Sequence, residues 1–150
     1  MTDRLLVAVF ASPVSEVLAR WGTELGFRVH VLDPDPSRGA QITGFAQVED
    51  DLADADVVIT AHHRDELGEV LRDALARPTR WIGVMGNPRH EGPHVAALTA
   101  LGVPAEQIAR VHRPIGLDIG SKQPAEIALS TLAGLLADRN GRSGGFAHGG

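Results

Sequence analysis

The chain has 150 residues, close to the modal size of a single domain, and a domain of that length buries roughly 68–70% of its unfolded surface, enough to support its own core. Its formal net charge of −5 argues against a nucleic-acid partner, which favours a basic face. The lack of any cysteine excludes disulfides, thiolate zinc sites and cysteine nucleophiles, and suits a reducing compartment.

Leu5–Phe10 is an almost wholly apolar run, as in a strand buried on both faces of a parallel sheet. It is too short to span a membrane and is followed by no small-residue cleavage site, so a cytoplasmic protein is expected. Ser12 and Pro13 then read as an N-cap and a first-turn proline. Val14, Val17, Leu18, Trp21 and Leu25 recur at helical spacing, and Gly26 stops the helix. Arg28–Leu32 is a second strand ending on Asp33, with a loop over 35–39. In a dinucleotide-binding β-α-β unit, an acid at this place holds the ribose hydroxyls, which makes Asp33 a candidate. The G-x-G-x-x-G phosphate fingerprint is absent: Phe10-Ala11-Ser12-Pro13-Val14-Ser15 stands in its place. Ser12 either offers its hydroxyl to a phosphate or caps the helix.

Gln41–Thr43 reads as a short strand and the acidic run 49–56 as a short helix or turn. Val57–Thr60 is another buried-type strand, running into Ala61-His62-His63-Arg64-Asp65-Glu66 and a helix to about Ala76. Histidines at the carboxyl end of a parallel strand lie where such sheets bind ligands, so His63 is a candidate ligand contact. No third metal ligand is at hand, and no metal is expected. Arg80–Met85 is the next strand, where Gly83 implies close packing or close approach of a ligand. A breaker-rich loop from Gly86 to Pro93 follows, in which Arg89 and His90 could meet an anion. His94–Leu101 and Pro104–Ala109 are short helices, and Arg110–Arg113 is a short strand.

The loop Pro114-Ile115-Gly116-Leu117-Asp118-Ile119-Gly120-Ser121-Lys122-Gln123-Pro124 opens the last helix. Gly116 and Gly120 permit positive φ or bare-backbone contact with a ligand, and Lys122 with free amides at a helix N-terminus attracts anions. It is not a Walker A loop, because only three residues separate the glycines and Ser121 precedes the lysine. The alternative is a turn without a ligand. Pro124–Arg139 is the helix, with Ile127, Leu132, Leu135 and Leu136 as its apolar stripe. Gly141 ends regular structure; residues 1–142 form the domain and 143–150 a flexible glycine-rich tail.

Strands alternating with helices imply a single α/β domain with a mostly parallel sheet covered on both faces in three layers. Right-handed crossovers then place the loops after Phe10, Leu32, Thr60, Met85 and Arg113 on one rim. Ser12, Asp33, His63, Gly83, Gly86 and the 116–122 loop, with Gly116, Asp118, Gly120 and Lys122, are expected to converge there.

The run from Ile108 to Ala128, IARVHRPIGLDIGSKQPAEIA, resembles the signature of the XdhC/CoxI family of xanthine dehydrogenase accessory proteins. Trp81-Ile82-Gly83-Val84-Met85-Gly86, Leu98 to Gly102, Leu25-Gly26-Phe27-Arg28-Val29 and Asp33 agree with it, so the resemblance covers most of the chain. It implies a Rossmann-like fold and a maturation role: binding molybdenum cofactor, protecting it during sulfuration and handing it to the apoenzyme of a molybdenum hydroxylase. The ligand implied is molybdopterin or its cytosine dinucleotide, with the hydroxylase apoenzyme and a cysteine desulfurase as partners; a homodimer is compatible. Three stretches depart from the family pattern. Its Gly-x-Gly after the first strand is Phe10-Ala11-Ser12, its His-x-His is Ala61-His62-His63, and its Gly-Ser-Arg-Arg-Lys is Gly86-Asn87-Pro88-Arg89-His90. No nucleophile or acid–base pair stands out, which favours a carrier over an enzyme. An NAD(P)-dependent oxidoreductase is disfavoured by the missing glycines, and a scaffold subunit that binds no ligand is the third reading.

Overall fold

A computed structural model of the chain describes residues 4–86 and 92–146. Five strands form one all-parallel sheet in the order β2-β1-β3-β4-β5. They are β1 (Arg4–Val9), β2 (Phe27–Leu32), β3 (Ala55–Ile59), β4 (Trp81–Val84) and β5 (Val111–His112). The helices are α1 (Pro13–Glu24), α2 (Leu67–Leu75), α3 (Pro93–Ala100), α4 (Ala105–Ile108) and α5 (Pro124–Arg139). This is a Rossmann-like arrangement, with sequence order reversing at the β1–β3 boundary.

The alternation along each strand divides the core in two. Leu5, Val7 and Val9 of β1 join Val57, Ile59, Leu71, Ala74 and Leu98 on the α2–α3 face. Leu6 and Ala8 join Val58, Leu18, Ala128, Leu132 and Leu135 on the α1–α5 face. Burial on both faces explains why the strands read as continuous apolar runs.

One expected element differs. Gln41–Thr43 is no strand; Ile42 makes a single parallel bridge to Leu32, because Gln41 Oε1 instead takes the Val31 amide. The acidic run 49–56 holds the expected short turn, a 3-10 turn at Leu52–Asp54, and β3 begins at Ala55, so that Asp56 belongs to the strand. Asp56 is fully buried and bonded by Arg80 Nε and, at 2.8 Å, Arg139 Nε. Those two arginines tie the amino-terminal rim of the sheet to the end of α5. Among the described residues no helix is long and apolar enough to cross a membrane.

Candidate functional site

All five strands are parallel, so the loops after them leave from one rim, as expected. The crevice between β1 and β3 is where such a sheet seats a dinucleotide. Its first residue is Phe10, at φ +75°, a left-handed conformation rare for a bulky side chain. This is the position of the first fingerprint glycine. Burial holds the strained residue: its ring is 1% exposed within the α2–α3 core. The Arg64 guanidinium lies over that ring, 4.4 Å from its centroid.

Arg64 reaches across from the loop after β3 to Asp33 at the tip of β2. Its Nη1 donates to Asp33 Oδ2 at 3.0 Å and its Nη2 to Oδ1 at 2.8 Å. The amides of Ala11 and Asp35 donate to the same two oxygens, at 3.0 and 2.9 Å. Four donors fill the acceptor capacity of one carboxylate, and Asp33 is fully covered. Burial by itself would raise the Asp33 pKa. The Arg64 bonds and the two amides override it and hold the carboxyl at about 2. Arg64 in turn is held by Asp33 first and Glu66 second, at 2.9 Å through Nη2, and its pKa is raised. Asp33 therefore stands at the expected place with no lone pair left for a ribose hydroxyl.

Ser12 is the α1 N-cap. Its hydroxyl accepts the Ser15 amide at 3.1 Å, and Ser15 Oγ accepts the Ser12 amide at 2.8 Å, closing a capping box. Thr60 Oγ1 donates to the Val9 and Phe10 carbonyls and lies 3.1 Å from Ser12 Oγ. With the Thr60 proton directed to those carbonyls, Ser12 is the donor between the hydroxyls. A second bond thus crosses the crevice beside the Arg64–Asp33 pair.

The candidate glycines separate by what approaches them. A Cβ on Gly83 would collide with the Trp81 ring and with Ile115, so the close approach there is core packing. Gly116 has φ +89°, and a Cβ would lie 2.7 Å from Ser130 Oγ and 3.3 Å from α5 backbone. The backbone that comes close to Gly116 is that of α5, tied further by Leu117 N–H donating to the Ser130 carbonyl at 3.2 Å. Gly120, at φ +67°, faces open space. Asp118, Gly120 and Lys122 are exposed, and Lys122 has no ion pair among the described residues. Gln123, the N-cap of α5, makes no side-chain cap bond to the first amides of that helix.

Gly86 belongs to a different cluster. A Cβ there would run into the Arg113 guanidinium. A Cβ on Gly92 would collide with His94 Nδ1 and lie 2.8 Å from Arg113 Cδ. The His62 and His63 rings touch at a tilt of 48°, with centroids 3.9 Å apart. Burial, followed by His63 and Arg113, lowers the His62 pKa, partly offset by the Met85 backbone. Burial and Arg113 lower that of His94. His63 is exposed, and His62 is the half-buried member of the pair. Arg89 and His90 lie outside the described residues. Among those residues no group of three His, Asp or Glu could hold a metal ion.

Arg64, His94 and Arg113 were not singled out by motif or spacing. The signal for His94 is its place directly after Gly92-Pro93 at a helix start. That for Arg113 is its place at the end of the last strand. Arg64 carries no local signal, because its partner Asp33 is 31 residues away.

A xanthine dehydrogenase from Bacillus halodurans, solved by crystallography, shares the fold with a TM-score of 0.72 at 23% identity; the match covers 94% of this chain and 44% of that one. The uncharacterized protein YqeB of Escherichia coli (strain K12) is 32% identical over 155 residues, covering 94% of this chain and 28% of YqeB. The chain thus spans less than half the length of either. The family model for the XdhC Rossmann domain matches residues 6–135. The match takes in both rim clusters and the loop before α5, and this chain belongs to the XdhC Rossmann-domain family.

Proposed function

We propose that this domain is an accessory factor in the maturation of a molybdenum hydroxylase, acting through its exposed carboxyl rim and not as a dinucleotide-dependent oxidoreductase. Family membership supports the accessory role. The observation that carries the second half is the Arg64–Asp33 clasp over the buried Phe10 ring, which spends the acceptors of the acid at the β2 tip on the chain's own groups.

A pterin cytosine dinucleotide laid across the sheet as NAD is laid does not fit these residues. Asp33 has no free acceptor, and Phe10 fills the place of the fingerprint glycine. A cavity of about 170 Å³ beside the β2 tip is walled by Glu66, Glu69 and Asp73, which repel phosphate. A second, of about 210 Å³, involves Thr79–Ile82 with Ala109, Arg110 and His112, at the opposite end of β4. Both are below the roughly 300 Å³ at which small-molecule sites begin. Contact with cofactor or apoenzyme is assigned to the outer rim: the 114–123 loop with Asp118 and Lys122, and the glycine-lined tips of β3 to β5.

The test is recovery of the tagged full chain from cells that express a molybdenum hydroxylase, with peptide identification and molybdenum analysis of the eluate. The expected result is enrichment of a hydroxylase subunit, reduced when Asp118→Ala and Lys122→Ala are combined. Absence of any hydroxylase, with NAD(P)-dependent reduction by the purified chain, contradicts the proposal.

A further inference from the structure

The geometry points to a carboxylate pocket at the amino-terminal end of β4 and β5, in the cavity of about 210 Å³ walled by Arg110, Arg80, Thr79 and the stacked pair Trp81 and His112. It takes a single carboxylate carried on a short planar stem. The inference does not depend on the accessory-factor reading, because the cavity lies at the end of the sheet away from the rim assigned to cofactor or apoenzyme.

The walls carry two arginines, a histidine and a tryptophan, and no acid. Arg110 is the open donor. Its Nη1 is shared between Gln107 Oε1, at 2.8 Å, and the Leu75 carbonyl, at 3.3 Å; both acceptors are neutral. No carboxylate pairs with Arg110 among the described residues. Its Nη2 and Nε therefore stay available, and together they form the fork that matches a carboxylate. Arg80 is different. It gives Nε to Asp56 and Nη1 to Asp138, at 2.8 Å, which offset its charge. Its Nη2 and the Thr79 hydroxyl are buried and have no hydrogen-bond partner. Buried polar atoms are seldom left so, and here two occur on adjacent residues of one wall. A small adjustment of that wall about a bound carboxylate gives both atoms the acceptor they lack.

The stem follows from the other walls and from the size. The Trp81 and His112 rings, on neighbouring strands, are parallel to within 8° with centroids 5.0 Å apart. Ile82 adds apolar surface. Flat ring faces beside a guanidinium suit a planar acid, its ring against the stack and its charge at Arg110. The volume is below the roughly 300 Å³ of small-molecule sites, so the cavity holds one small acid or one side chain and neither a nucleotide nor a pterin. Among the described residues no strand lies beyond β5, so a partner protein can also reach this edge.

Two sources share this chemistry: a free aromatic acid, and a carboxylate side chain presented by a partner protein. The chain has two tryptophans, Trp21 and Trp81, so its two indole N–H resonances report the cavity and an internal control. The full chain is titrated at constant ionic strength with benzoate, with its neutral analogue benzamide, and with N-acetylglutamate N-methylamide. The expected result is a saturable shift of the Trp81 resonance with an acid, at a Kd of about 1 mM, while Trp21 stays in place and benzamide has no saturable effect. Saturation by benzoate alone points to a free aromatic acid, and a preference for the glutamate derivative to a partner's side chain. Arg110→Gln should raise the Kd about tenfold, the loss of one charged donor pair. Arg20→Gln, an exposed arginine of α1, makes the same change in net charge and should leave the Kd within about twofold. No saturable Trp81 shift with either acid overturns the proposal, as does an equal response to benzamide or a Kd unchanged in folded Arg110→Gln. The comparison of acid with amide uses the wild-type chain and stands if Arg110→Gln fails to fold. Recovery of a hydroxylase partner is a separate result and does not depend on this titration.

Discussion

Replacing Arg64 with alanine removes both guanidinium bonds to Asp33, the bonds to Glu66 and the contact with the Phe10 ring. Deleting one partner of a buried ion pair costs about 3–5 kcal/mol. Asp33 keeps the Ala11 and Asp35 amides, and Glu66 is partly solvated, which places the cost near the lower end, about 3 kcal/mol. For a domain of this size that lowers the Tm by about 6–12 °C. The acid limb carries a more specific signature. Asp33 has a folded pKa of about 2 against an ordinary aspartate value of 3.8. A depressed carboxyl pKa contributes stability that is complete above the unfolded value and is lost as pH falls through the folded one. The difference amounts to about 2 kcal/mol lost between about pH 4 and about pH 2. In Arg64→Ala, burial acts on Asp33 against the two amides alone, so this acid-sensitive share shrinks. Urea unfolding near neutrality and across the acid window measures both effects. A variant with the wild-type Tm and the wild-type acid slope would refute the clasp.

Phe10→Gly should be more stable than Phe10→Ala by about 1 kcal/mol, because only glycine relieves φ +75° while both lose the ring; at an ordinary strand end the order reverses. Gly116→Ala should cost about 2 kcal/mol or more, from positive φ plus the clash with Ser130 and α5 backbone, and Gly120→Ala about 1 kcal/mol from φ alone; equal costs would contradict the packing described. Asp56→Asn leaves Arg80 and Arg139 facing a neutral group and should destabilise by about 3 kcal/mol in chemical denaturation, with an unchanged midpoint as the contrary result. Lys122→Ala should leave the Tm within about 1 °C of wild type, since the side chain is exposed and unpaired among the described residues, while weakening partner recovery.

The sheet was legible because its strands are buried on both faces, so apolar runs such as Leu5–Phe10 and Val57–Thr60 stand out from their surroundings. Helix α5 was legible at both ends, from Pro124 at its start and Gly141 beyond its end. Ser12 announced itself as a cap. The third expected strand failed because Gln41–Thr43 has too little apolar character to compete with a side-chain bond to Val31. The site was harder to read for a physical reason. A glycine declares that something comes close, not what: at Gly83 and Gly116 the neighbour is the chain itself, at Gly86 and Gly92 it is Arg113 and His94. The position of Asp33 followed from local sequence, but its occupancy depends on Arg64, brought from a different crossover by the sheet order. Phe10 at the first fingerprint position showed that a glycine was missing. Only the fold showed that the backbone there still takes the glycine conformation and buries the ring.

Calorimetric titration of the purified full chain with NAD, NADP and a pterin cytosine dinucleotide tests the closed crevice most directly. With the β1–β3 crevice closed by Arg64, Asp33 and Phe10, no nicotinamide dinucleotide should bind saturably, and any pterin binding should be insensitive to Asp33→Asn in folded protein. Tight NAD(P) binding that Asp33→Asn abolishes would contradict it.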